Sequence, residues 1–212
     1  MANTQYSDLI SEVLPQLAAD PSDPVTEQAI KRAVIEFCRE SWVWRYIPDT
    51  QDVVAGLLEY DLEPPQGADV VAVLDVQVNN VPVTSRTIEM LNQEFPGWRT
   101  TSKTTKHFTQ VDTSQILLAP LPEVGITAGL SMTLALQPKL TATSFPSWIA
   151  NQYMERLADG AVARLMLMSN KPWSDPANGA DHRRRFEAAI ANARNDAASA
   201  LGRAPVRVTG QH

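Results

Sequence analysis

Cysteine is almost absent from the 212 residues: Cys38 stands alone, so no intrachain disulfide can form and the compartment need not be oxidising. The three histidines, His107, His182 and His212, lie far apart. No His-x-x-x-His or Cys-x-x-Cys pair occurs, and the spacings a metal site uses are therefore missing. With only nine glycines there is no G-x-G-x-x-G fingerprint and no phosphate loop ending in Gly-Lys, which disfavours nucleotide binding and leaves no cofactor expected. No stretch approaches the roughly 20 apolar residues of a spanning helix. The segment from Met1 to Tyr6 lacks the basic start and apolar run of a secretion signal, so a soluble, unexported protein assembled in the cytoplasm, with no membrane partner, is expected. Basic residues are outnumbered 18 to 24, which argues against a dedicated nucleic-acid binder because phosphate contacts need a basic face. Nor does the sequence supply an evident set of nucleophile, base and anion-stabilising group, so no catalytic residue is assigned and an enzyme is not expected.

What is present is enough for a buried core: 44% of residues are hydrophobic and 20% charged. The charges are uneven. Residues 1–48 hold four basic and seven acidic side chains, 49–140 five and eleven, and 141–212 nine and six. An acidic middle and a basic C-terminal part make complementary surfaces available for steering.

Apolar residues at three-to-four spacing predict a first helix over about 4–17 (Tyr6, Leu9, Ile10, Val13, Leu17) and a second from Asp23-Pro24 to Trp44, stopped by Pro48. Between Gln51 and Gln137, Val, Ile and Thr rise and two-residue alternation predicts strands near 53–61, 70–78, 81–84, 105–111, 115–119 and 129–137. Asn79-Asn80 marks a hairpin turn, since Asn tolerates positive φ, and Pro82 places the second arm at an edge. Ile88 to Phe95 fits a short helix. After Pro146, Ile149, Tyr153, Leu157, Ala161, Leu165 and Met168 predict a helix of about 20 residues, some 30 Å long, stopped at Lys171-Pro172. Asp175-Pro176 opens a last helix with Phe186, Ala189, Ile190, Ala193, Ala197 and Leu201 on one face and Gly202 as its stop.

The fold expected is α+β: a helical bundle formed by the N- and C-terminal helices (1–48 and 141–202), an inserted antiparallel β module (49–140) and an extended C-terminal arm (203–212). Cys38, beside Phe37 on the apolar side of its helix, is expected in the core. Arg183, Arg184 and Arg185 fan across about 200° of a helix, which favours a solvated face or inter-subunit salt bridges over DNA contact. Trp42, Trp44 and Tyr46, beside Arg45, read as a core plug at the helix–β junction, with subunit-interface anchoring as the alternative. Trp148 and Trp173, at the two ends of the third helix, carry the same pair of readings.

Several segments resemble a known family. These are Glu36-Phe37-Cys38-Arg39-Glu40-Ser41-Trp42-Val43-Trp44-Arg45, Pro146-Ser147-Trp148-Ile149 opening a long helix, and Asn170-Lys171-Pro172-Trp173-Ser174-Asp175-Pro176 followed by His182, Phe186 and Ala189. Set around an inserted β module, they resemble the head-to-tail adaptor (connector) proteins of tailed bacteriophages, including the tail tubular protein A group. The matching positions are packing and capping residues, and the β insert matches in placement more than in residues. The resemblance implies a non-enzymatic virion protein: a homo-oligomeric ring, typically a dodecamer, docked on the portal protein and facing the tail, nozzle or tail-completion protein. The ring would dock after DNA packaging, and genomic DNA would pass through its channel in ejection without specific binding. It also implies a portal-binding arm, here Arg203, Pro205, Val206, Arg207 and Val208. Two rivals stay open: a tail-side completion or connector protein, and a DNA-packaging accessory protein that binds DNA through the last helix.

Overall fold

The computed structural model describes residues 2–199, and contacts divide the chain into two compact units, one ending at Val43 and resuming at Thr143, the other spanning Trp44–Ala142. The architecture is α+β.

In the first unit the chain does not begin as a helix. Asn3–Gln5 (β1) pairs antiparallel with Ser144–Pro146 (β11), Thr4 opposite Phe145. A tight helical turn at Tyr6–Leu9, a single α turn at Ile10–Val13 (α1) and another tight turn at Leu14–Gln16 follow. The expected helix over 4–17 is thus corrected at both ends. At its start the Gln5 N–H donates to the Asp8 carboxylate at 2.9 Å, which fixes the turn after the strand. At its end Pro15 brings no N–H to the helical ladder. The stripe itself holds: Tyr6, Leu9 and Val13 are fully buried, and Tyr6 stacks on Phe145 with ring centroids 5.3 Å apart.

Asp23–Ser41 (α2) buries Ala29, Ile30, Ala33, Val34, Phe37 and Cys38 along one stripe. It stops short of the expected Trp44 because Trp42 takes a left-handed conformation (φ 54°), with its N–H donating to the Cys38 carbonyl at 3.0 Å. Burial pushes the Cys38 thiol up to about 12, as suits a cysteine that acts as a small hydrophobe. Ser147–Met166 (α4) and Pro176–Ala198 (α5) complete the bundle. Asp175 caps α5, its side chain accepting from the Asn178 N–H at 3.1 Å. Two positions expected in helices fall elsewhere: Met168 lies beyond the end of α4, which stops before Lys171-Pro172, and Leu201 and Gly202 lie outside the described residues. Gly179 lets α5 pack closely on the end of α4. A Cβ there would meet Met166 Cβ at 3.0 Å, so the first turn of α5 crosses the end of α4 almost backbone to side chain. At the centre Phe37, Tyr153 and Phe186 form the aromatic core, with Phe37 centroids 4.8 Å from Tyr153 and 6.1 Å from Phe186.

The second unit is two sheets face to face. Arg45–Tyr46 (β2), Ile126–Pro138 (β10), Ala68–Val78 (β5) and Val81–Pro82 (β6) lie in that order, with Gln51–Val53 (β3) also on β10. The other sheet runs Glu59–Asp61 (β4), Gln115–Ala119 (β9), His107–Gln110 (β8) and Thr84–Ser85 (β7), the last pairing being parallel. Asn79 (φ 52°) and Asn80 (φ 61°) make the β5–β6 turn, and Pro82 sits in the edge strand. The single strand expected over 53–61 is two strands, split by a turn at Gly56 (φ 75°). In β5 the pairing with β10 skips Leu74 and Val71. These bulges keep Val76, Val73 and Val70 on the inner face at three-residue spacing. Val70, Val76, Leu130, Met132, Leu134 and Leu136 from one sheet meet Phe108, Ile116 and Leu118 from the other. The whole of Ile116 to Ala119 is buried because both faces of β9 are covered. Ile116 and Leu118 face the other sheet, while Leu117 and Ala119 pack with Leu91 of Ile88–Glu94 (α3) and with Trp98.

Candidate functional site

The polar groups of the helical unit converge in two layers. Glu36, near the C-terminal end of α2, has a side chain 12% exposed and accepts from Arg164 of α4 and, at 2.8 Å, from Arg183 of α5; Arg183 also reaches Glu187 at 2.6 Å. Burial alone would raise the Glu36 carboxyl, but the Arg183 hydrogen bond and the two guanidinium charges outweigh it and hold the group below the ordinary glutamate range. The second layer surrounds Asp159, buried in α4 within the small-residue run Leu157 to Leu165. His182 Nδ1 lies 2.7 Å from its carboxylate, Arg156 3.3 Å and Arg185 4.0 Å.

A histidine held by a carboxylate is also part of hydrolytic triads, but among the described residues no hydroxyl or thiol is hydrogen-bonded to His182. Nor do the described residues contain a group of three His, Cys, Asp or Glu placed to hold a metal. The layers are structural cross-links of α2, α4 and α5. They also settle where the arginine run goes: Arg183 binds Glu36 and Glu187, Arg184 pairs with Asp181, and Arg185 faces Asp159, all within the chain.

Because the depressed carboxyl of Glu36 favours the folded state above its unfolded pKa, its contribution is full at neutral pH and lost as pH falls through the folded pKa. Glu36→Gln should therefore lower stability at neutral pH by on the order of 1–2 kcal/mol, a figure kept small because both arginines retain solvent contact. The gap should close when the two proteins are compared by urea unfolding at a pH below the carboxylate range.

Beside the Glu36 layer a groove of about 950 Å³ opens between the first turns of α2 and the end of α4. Val25, Ala29, Leu167 and Met168 give it an apolar lining and Arg32, Arg164 and Arg183 a basic one; Val25 and Leu167 remain exposed. Periodicity placed Met168 on the helical stripe and so did not find this groove, in which Leu167 and Met168 line the wall from just past the helix end.

The tryptophans singled out from the sequence are divided between the two units. Trp42 belongs to the helical unit, half-buried, with the Arg194 guanidinium 4.7 Å from its ring centroid. Trp44 and Tyr46 pack against the core of the β unit, and Arg45 is exposed. Trp148 is 38% exposed at the start of α4. Trp173 is half-buried, its indole N–H has no hydrogen-bond partner, and Lys171 Nζ sits 6.0 Å from its ring. Arg203, Pro205, Val206, Arg207 and Val208 lie outside the described residues.

The family model described as SU10 adaptor protein matches residues 4–209, and the chain belongs to that family of phage adaptors. It is accordingly a structural protein of the virion, from a family that is not enzymatic. No curated protein matches the chain. Among the described residues no helix is long and apolar enough to cross a membrane.

Proposed function

We propose that the chain forms the adaptor ring between head and tail, twelve copies docked on the portal protein, with the tail, nozzle or tail-completion protein on the opposite side. The observation that carries this reading is the extent of the family match, which takes in both structural units and continues to residue 209. Helical units build the ring wall through surfaces such as the groove beside Arg32 and Leu167. A lasting contact of this kind buries about 2,000 Å² or more, so open apolar surface on the isolated subunit is what the ring requires. The β unit faces the tail, the basic peptide at 203–212 grips the portal, and genomic DNA passes through the ring without specific binding. The likeness to the tail tubular protein A group belongs to the same reading.

Electron microscopy of particles carrying a labelled copy tests it. The label is expected in a ring at the head–tail junction. A label confined to the distal tail would favour a tail-side completion protein, and a label absent from finished particles a packaging accessory.

A further inference from the structure

The β unit is acidic, yet three of the five basic residues in 49–140 fall within 99–106, in a stretch that has no acid from Phe95 to Val111. This stretch is pinned in place. The Lys103 N–H donates to the Leu121 carbonyl at 2.9 Å, Lys106 N–H to Ala119 at 3.1 Å, and the Thr105 hydroxyl to Pro120 at 3.0 Å. With the end of α3 it encloses a pocket of about 460 Å³. Phe95, Trp98 and Pro120 give the pocket apolar walls, Lys103 and Lys106 stand on its rim, and the His107 ring lies 4.9 Å from that of Phe95. Among the described residues neither lysine is paired with a carboxylate, and the buried Nδ1 of His107 has no hydrogen-bond partner. Glu123, the acid in the lining, accepts from the Thr104 hydroxyl at 2.8 Å.

We propose that this pocket docks an acidic segment of a partner protein, with an apolar side chain seated against Phe95 and Trp98 and flanking carboxylates held by Lys103 and Lys106. Two uncompensated ammonium groups on a fixed backbone favour an anion without the cost of ordering a loop. A duplex satisfies the pocket poorly, because its convex phosphate ridge offers no apolar group to a concave aromatic wall. An acidic peptide with an embedded apolar residue meets both halves of the lining. Burial, followed by the nearby Arg86 charge, holds the His107 imidazole below its ordinary range; Lys106 acts in the same direction and Glu94 against it. A carboxylate seated beside it would push it up. The inference rests on the adaptor reading only for the source of the segment, so peptide binding by the isolated chain and docking to portal fail or succeed separately.

The test uses the full chain and a fluorescein-labelled peptide of glutamates around one phenylalanine. Anisotropy should report binding that falls at least about tenfold in the double charge reversal Lys103→Glu, Lys106→Glu, whose side chains are exposed and not needed for folding. The His107 ring resonance should move with the peptide and titrate at higher pH, while that of His182 stays put. A lysine version of the peptide, and one with serine for phenylalanine, should bind more weakly. Absence of binding, equal binding by the reversed variant or the serine peptide, or tighter binding of a duplex oligonucleotide through the same lysines would overturn the proposal.

Discussion

Phe186→Ala is expected to cost the helical unit about 3–5 kcal/mol, the range for emptying a large, fully buried aromatic site. Phe186 is 0% exposed and faces Phe37 of α2 and, across a glycine, the backbone of α4. That glycine is the more telling position. A Cβ on Gly160 would stand 2.7 Å from two carbons of the Phe186 ring, and ion pairs from α5 to Glu36 and Asp159 resist its displacement. Alanine normally gains about 1 kcal/mol over glycine within a helix. Here overpacking, which typically costs about 1–3 kcal/mol, should exceed that gain and make Gly160→Ala destabilising. Urea unfolding followed by helical circular dichroism measures both changes. In a Phe186→Leu background the alanine should be tolerated better, a coupling that marks the two positions as one contact. A neutral or stabilising Gly160→Ala in the wild-type background would contradict this packing.

Removing residues 203–212 should leave folding untouched and abolish docking to portal complexes. The segment contains Arg203 and Arg207, no acid and Pro205, and its 10 residues hold too little apolar surface to add a core of their own. Unfolding free energies of the full and truncated chains should therefore agree within about 0.5 kcal/mol, the usual range for changes away from packed sites. A pull-down on purified portal should then lose the truncated chain while retaining the full one. Equal capture of both would remove the peptide from the docking mechanism.

Much of this fold is legible in the sequence, for reasons that differ between elements. The last two helices announce themselves because Asp175-Pro176 is a local start signal and because the stripes from Ile149 to Leu165 and from Phe186 to Ala197 are long enough to fix a period. The Asn79-Asn80 turn is equally local. What periodicity misses is set by distant partners. Thr4 lies in a strand because Phe145 is across from it, and nothing near residue 4 says so. The inner face of β5 follows a three-residue step that only its bulges explain. For the ion-pair layers there is one readable sign, an acid at Asp159 amid alanines and glycine on a buried helix, but its partners His182 and Arg185 are found only when α5 is laid against α4. In the aromatic run from Trp42 to Tyr46, sequence neighbours belong to different units, because the left-handed Trp42 ends α2 and the second unit begins at Trp44.

The proposed function depends on this adaptor closing into a ring on the portal. Mixing the purified full chain with purified portal complexes and determining the mass and symmetry of the product addresses it most directly. A stoichiometric ring of adaptor subunits seated on one end of the portal is expected. A portal that gains no mass, or that binds scattered single copies without ring symmetry, would contradict it.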